Sequence, residues 1–423
     1  MKVKDRGRAK FRPTSDYSSM EVKSILLEKI QFEQEFVREN SSENNVHEII
    51  YNPEKLNVIS LFSGCGGLDL GVELAGLDTV KGRKNTNLLL DSKEKYKAFR
   101  NQSLFHTVYS LDIFKEANET YRINFPTHVL QEESDIRMIK FFPKADVILG
   151  GFPCPGFSSA GPRLIDDDRN FLYIHFIRSL LQTQPAFFIA ENVKGMLTLA
   201  NGEVAKQIFQ DFSSVGYNIT YKLVNARDYG VPQLRERVFI IGIRNDLDHK
   251  FQFPQKTHGT EEGLKPFVTL RDAIGDLEAD PGDWFEGDFS SIYLSRNRKK
   301  DWTDQSFTIQ ASGRQAPLHP SGPPMEKTDT DKWILPGRPE YHRRLSVKEI
   351  SRIQTFPDWF EFSSGNQHIS KNGRLNKVYK QIGNAVPVEL ARQIALPLAQ
   401  WSMVNFEKIK ASRPEHQQLE LFV

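Results

Sequence analysis

Residues 57–75 confine this chain to a narrow set of architectures. Asn57-Val58-Ile59-Ser60-Leu61-Phe62 is an apolar run of strand length, Ser63-Gly64-Cys65-Gly66-Gly67 is a tight glycine turn, and Leu68 to Ala75 takes up a helical pattern. A strand that turns on glycines directly into a helix opens a βαβ unit. Further buried strands are predicted at 108–113, 145–150, 186–190 and 238–243, with helical stretches at 171–181 and 204–215 between several of them. This alternation predicts an α/β fold with a mainly parallel sheet flanked by helices.

A chain of 423 residues has room for one large domain and a smaller one. Residues 1–55 read as a basic arm followed by a helix. Val22, Ile25, Leu26, Ile30 and Val37 recur at near-helical spacing and predict an amphipathic helix that docks on the main domain. Residues 56–255 form the first part of that domain. It is interrupted at about 81–104 by Lys81, Arg83, Lys84, Lys93, Lys95, Lys97 and Arg100, which read as a solvated surface insertion. Residues 256–370 are rich in Pro, Gly, Asp and Arg without a long helical period, and predict a second, smaller, irregular domain. In 371–423 a strand-and-helix pattern from Val378 to Met403 rejoins the first domain. No internal repeat is present.

Composition narrows the setting. The two cysteines, Cys65 and Cys154, allow neither a disulfide framework nor a cysteine-rich zinc site, which fits a reducing cytoplasm and predicts no bound metal. No window approaches the ~20 apolar residues of a membrane helix. Lys and Arg number 56 against 54 Asp and Glu, so a nucleic-acid partner would have to be met by local patches rather than by net charge.

The turn at Phe62–Gly66 suits a nucleotide-like cofactor, because glycines admit close backbone approach and the next helix presents free N–H groups. Its spacing is not G-x-G-x-x-G, which argues against a dinucleotide oxidoreductase. Asp112, at the end of the second strand, is placed to accept hydrogen bonds from ribose hydroxyls, and Asp135 from an adenine amino group. Without further context each aspartate reads as a helix or turn cap instead.

Gly150-Gly151-Phe152-Pro153-Cys154-Pro155-Gly156-Phe157-Ser158-Ser159 supplies that context. It follows the apolar strand Val147-Ile148-Leu149, so Cys154 falls in a loop at a strand's carboxyl end, where open α/β sheets build their sites. A lone cysteine is commonly a small buried hydrophobe, but flanking prolines and glycines build a rigid exposed loop instead. Glu191 likewise ends a strand. Gln233-Leu234-Arg235-Glu236-Arg237 precedes another, and its glutamine and two arginines suit a polar planar ring and a phosphate backbone.

The order of these motifs resembles the cytosine-5 DNA methyltransferase family over about residues 57–402. Asn225-Ala226-Arg227-Asp228-Tyr229-Gly230-Val231-Pro232, Arg344-Leu345-Ser346 through Phe356-Pro357-Asp358, and Gln381-Ile382-Gly383-Asn384-Ala385-Val386-Pro387 extend the match. The resemblance implies a Rossmann-like methyltransferase sheet with a target-recognition domain, S-adenosylmethionine as cofactor and double-stranded DNA as partner. It implies Cys154 as the nucleophile attacking cytosine C6, Glu191 on ring N3 and the exocyclic amine, and Arg237 on the O2 side with Arg235 nearby. Matching cofactor positions are Phe62, Gly64, Gly66, Asp112, Ile113, Asp135, Pro153, Leu172, Asn384 and Val386. The loop 155–170 is the expected cover over a flipped base, with Ser158 on a phosphate and Gln233 also facing DNA. Pro155 stands where many members have Gln, and Cys65 is expected to be inert.

Ser295-Arg296-Asn297-Arg298-Lys299-Lys300 and Gln310-Ala311-Ser312-Gly313-Arg314-Gln315 resemble members acting on GGCC-type sites. Arg296, Arg298 and Arg314 are therefore expected to read guanines in a GG…CC palindrome, with or without a central spacer base pair. A prokaryotic modification enzyme of this kind is expected to be a monomer in the cytoplasm, at the nucleoid, working alongside a cognate restriction endonuclease without a stable complex. The long recognition region argues against methylation of RNA, and retention of Cys154 and Glu191 argues against a silent regulator.

Overall fold

The computed structural model describes residues 16–40, 48–153 and 171–412. Seven strands form one sheet: β1 (Leu56–Leu61), β2 (Phe105–Asp112), β3 (Leu130–Glu133), β4 (Val147–Gly150), β5 (Phe187–Val193), β6 (Tyr217–Asn225) and β7 (Glu236–Arg244). Their order across the sheet is β3-β2-β1-β4-β5-β7-β6. The first five run parallel, and β7 enters antiparallel between β5 and β6. All six residues of β1 are buried, as a central strand covered on both faces requires.

Side-chain alternation divides each central strand between two layers. Ile59, Ile148, Phe188 and Ile240 face one side, where they pack with α6 (Phe171–Thr183), α7 (Glu203–Ser214) and Val22, Leu26 and Ile30 of α1 (Ser19–Asn40). The predicted N-terminal helix therefore forms and docks. Val58, Val147, Leu149, Phe187 and Ile241 face the other side, against α2 (Gly67–Lys81) and α11 (Val388–Val404). Since β1 pairs with β2 on one side and β4 on the other, the winding reverses there, and a crevice opens beyond their carboxyl ends.

Two expectations need correction. The stretch after α2 folds into α3 (Arg83–Leu89) and α4 (Lys93–Phe99). Lys84, Lys95 and Lys97 are exposed, but Tyr96 and Arg100 are buried. Glu73 of α2 is buried too and needs a counter-charge. Arg100 Nε and Nη2 donate to it at 2.8 and 2.7 Å, and the Tyr96 hydroxyl at 2.6 Å, so the insertion is anchored rather than wholly solvated. Among its described residues the C-terminal block holds no strand. Leu375, Val378, Tyr379 and Ile382 recur at helical spacing on α10 (Lys371–Asn384), which ends where Ala385 turns extended ahead of Pro387.

In 256–370 the elements are short: α8 (Leu270–Ile274), α9 (Val347–Ile353) and a hairpin of β8 (Glu326–Asp329) and β9 (Lys332–Ile334). Its core of Leu270, Ile274, Ile309, Leu345 and Ile353 also takes in the buried stripe of α10. α5 (Lys115–Asn124) and α12 (Phe406–Ala411) complete the α-helices among the described residues.

Candidate active site

At the end of β1 the chain turns sharply. Phe62 has φ +55°, a left-handed conformation costly for a bulky residue, and Gly64 and Gly66 follow at +54° and +86°. Asp112, ending β2, locks this turn: its Oδ2 accepts from Gly64 N at 2.8 Å and its Oδ1 from Phe114 N at 2.7 Å. Burial pushes the Asp112 carboxyl above its usual range despite these bonds. Each carboxylate oxygen retains a second acceptor direction. Asp135 follows β3 and accepts from Arg137, with Nη2 to Oδ2 at 2.6 Å. Burial raises its pKa, but the Arg137 guanidinium outweighs this and holds the carboxyl below the usual range.

These turns border a cavity of about 460 Å³ lined by Phe62, Gly64, Asp112, Ile113, Asp135, Pro153, Leu172, Asn384 and Val386. Apolar walls beside two carboxylates suit a flat aromatic base joined to a sugar with hydroxyl donors. Gly66 is the cofactor candidate outside this lining: it caps α2, and a Cβ there would collide with the Phe125 ring. Lys380 also borders the cavity, its Nζ 4.2 Å from the Phe114 ring centroid, and was not singled out from sequence because a lysine on a helix reads as solvated.

Glu191 lies on the wall of the same cavity. It is in β5, directly opposite Phe239 of β7, with Arg237 two residues along the same face. Arg237 Nε stands 2.8 Å from Glu191 Oε1, and both side chains are largely buried. The approach to Cys154 is well held: Phe152 packs among Tyr173, Phe176 and Phe212, its carbonyl accepts from Asn192 Nδ2 at 3.2 Å, and Pro153 borders the cavity. Cys154 and Ser158, with the loop expected to cover the base, lie outside the described residues.

The geometry corrects three other assignments. Arg235 is fully buried, with Nη2 donating to the carbonyls of Gly383 and Ala385 at 2.9 and 3.0 Å and Nη1 to that of Ile309 at 3.4 Å, so both terminal nitrogens are engaged by backbone carbonyls. Gln233 is also fully buried, joined to Gln354 and to Ile309 N at 2.9 Å each, and cannot face DNA. Arg298 is buried against the Tyr293 ring and donates to Gln315 Oε1 at 2.8 Å, so it braces the 310–315 segment instead of reading bases. Arg296 and Arg314 are exposed.

The sheet order, the glycine turn and this cavity together define an S-adenosylmethionine-dependent methyltransferase. Residues 56–400 match the model of C-5 cytosine-specific DNA methylases. The chain is 58% identical to Type II methyltransferase M.BsuRI of Bacillus subtilis, covering 100% of this chain and 98% of that protein. It is 58% identical to M.BspRI of Lysinibacillus sphaericus over 100% of both, and 41% identical to M.NgoPII of Neisseria gonorrhoeae over 82% and 95%. The S. pombe Dnmt2 methyltransferase (TM-score 0.52, 15% identity, 83% of this chain and 100% of that one) shares the fold. So does the Entamoeba histolytica methyltransferase EhMeth (TM-score 0.55, 17% identity, 83% and 99%). The chain belongs to the C-5 cytosine-specific DNA methylase family. Among the described residues no helix is long and apolar enough to cross a membrane, and no group of side chains is arranged to hold a metal.

Proposed function

We propose that this DNA cytosine-5 methyltransferase acts on a cytosine flipped out of a GG…CC-type duplex site, through a covalent bond from Cys154 to C6. The observation that carries this reading is Glu191, which lines the cavity together with Pro153, the residue bonded to Cys154, and has Arg237 Nε 2.8 Å from its Oε1. When bound, S-adenosylmethionine supplies an electrophilic methyl group on a sulfonium.

Cytosine C5 is too electron-poor to take that methyl unaided. The Cys154 thiolate adds to C6 and leaves C5 as a nucleophilic enamine carbon. Glu191 shares a proton with N3 and accepts from the exocyclic amine, favouring the electron-rich ring as it forms. Arg237 donates to O2, having further N–H groups beyond those directed at Glu191 and at the Glu236 carbonyl. Once C5 carries the methyl, loss of its proton expels the thiolate and restores the ring. C6 is inaccessible inside the stack, so the base leaves the duplex first.

Phe62, Asp112, Ile113, Asp135, Leu172, Asn384 and Val386 hold the cofactor in this reading, Asp112 through ribose hydroxyls. Residues 256–370 serve as the recognition domain, and Ser158 meets a phosphate. The enzyme works as a monomer, protecting sites that a cognate restriction endonuclease would cut. Bisulfite sequencing of DNA from cells expressing the protein tests this directly, reporting activity, site and methylated base together. Methylation spread without regard to a GG…CC context would overturn the site assignment.

A further inference from the structure

Arg235 is a buried cation with no acidic partner within hydrogen-bonding distance among the described residues. Burial drives its pKa well down, and neighbouring Arg237 adds to this while Glu191 only partly opposes it. Placing an unpaired charge in a protein interior is costly unless its donors are well used. Here Nε has no hydrogen-bond partner among the described residues, and Nη1 and Nη2 join two distant segments. One is the recognition-region stretch ending at Ile309, and the other is Gly383 and Ala385, which flank the cavity residue Asn384.

Further contacts fasten the same two segments. Leu234 N donates to the Ser306 carbonyl at 2.8 Å, and Gln354, held by Gln233, donates to the Ile382 carbonyl at 2.6 Å. Gly383 lies so close to Gln310 that a Cβ would come within 2.5 Å of its backbone. Asn376 of α10 accepts from Gly313 N at 2.9 Å, immediately before the exposed Arg314. A displacement of the 306–314 stretch by bound DNA would therefore be felt at residues 383–386.

We propose that Arg235 is a positioning residue that couples duplex binding to cofactor binding, by locking the recognition segment to the cavity loop. This rests on the reading that residues 306–314 face DNA. Linkage requires the effect to be reciprocal, so either ligand tightens the other.

The test is a titration of S-adenosylhomocysteine, an unreactive probe, into the full chain with and without a short GGCC duplex. It is run for the wild type, Arg235→Lys and Asn376→Ala. Duplex should tighten probe binding to wild type by about 5-fold or more. In both variants this ratio should fall towards one while duplex-free probe affinity is largely kept. Asn376 is only half-buried, so its variant carries the test if Arg235→Lys does not fold. An unchanged ratio in a folded variant overturns the proposal. So does equal weakening with and without duplex, which would make Arg235 merely structural, or a wild type that binds duplex without any gain in probe affinity. A wild type that binds no duplex overturns the recognition reading and this inference with it.

Discussion

Arg237 and Glu191 stand diagonally across one face of two antiparallel strands, with Arg237 Nε 2.8 Å from Glu191 Oε1. The approach is one of charge to charge. Its direction does not make an aligned hydrogen bond, and among the described residues Oε1 has no other partner. The carboxylate is thus oriented by the arginine while keeping its acceptor directions for a ligand. Glu191→Gln preserves shape but removes the proton exchange. We expect the single-turnover methylation rate to fall by roughly 10²–10⁴-fold, with a much smaller change in duplex affinity. A large binding defect with an unchanged chemical rate would remove Glu191 from the proposed role.

Cys154→Ser should abolish methyl transfer and leave cofactor binding largely intact. A serine hydroxyl is a far weaker nucleophile at neutral pH, and the sequence offers no base to activate it. Steady-state assays on duplex DNA decide this, since near-normal turnover would exclude Cys154 as nucleophile. Wild-type protein should also form a denaturation-resistant complex with DNA carrying 5-fluorocytosine, because fluorine at C5 cannot leave as the proton does.

Asp69, in the first turn of α2, gives a pH dependence that can be read in stability. Burial pushes its carboxyl from the ordinary 3.8 to about 6, against hydrogen bonds from Ser60 and Tyr121. A raised carboxyl pKa means the folded protein holds the proton more tightly than the unfolded chain. Its stabilisation is complete below about 3.8 and is lost as pH rises through about 6. Asp69→Asn has no such titration. Relative to wild type it should gain stability between these limits, by roughly 3 kcal/mol at neutral pH. Denaturant melts of the cofactor-free proteins at pH 4 and 7 check this, and a pH-independent difference would refute it.

The central sheet was legible because Val58 and Ile59, or Val147 and Ile148, must serve opposite apolar layers and so form unbroken apolar runs. The edges were not. β3 is Leu130-Gln131-Glu132-Glu133, half exposed, and carries no strand signal of its own, whereas in β6 Tyr217, Ile219, Tyr221 and Leu223 do alternate with polar residues, a strand signal that the apolar-run criterion passes over. That the motif residues meet around one cavity was legible from their order, apart from Gly66, whose constraint comes from Phe125. Arg235, Gln233 and Arg298 were misread for one shared reason. Composition treats such residues as solvent-facing, whereas most of their hydrogen-bond partners are carbonyls and amides up to 150 positions away, where no local pattern reaches.

Burial also separates the arginines of residues 256–370. Arg296 and Arg314 are exposed, and Gly313 before Arg314 is held by Asn376, so that side chain is presented from a fixed backbone. Arginine donates two hydrogen bonds to guanine O6 and N7, the commonest specific contact in the major groove. Truncating either residue to alanine should cost roughly 1–3 kcal/mol of discrimination and relax the site at one position. A contact to phosphate would instead weaken all sequences about equally and flatten the salt dependence. Arg298→Ala should behave differently from both. It removes a buried brace on Gln315 and a cation stacked 4.8 Å from the Tyr293 ring centroid, so roughly 1.5–3 kcal/mol of folding stability should go. Any loss of specificity there should follow from disorder of residues 310–315 and affect the whole site. Methylation mapping of the three variants beside their thermal melts separates these outcomes. If Arg296→Ala and Arg314→Ala keep the wild-type site preference and lose only affinity, neither arginine reads a base.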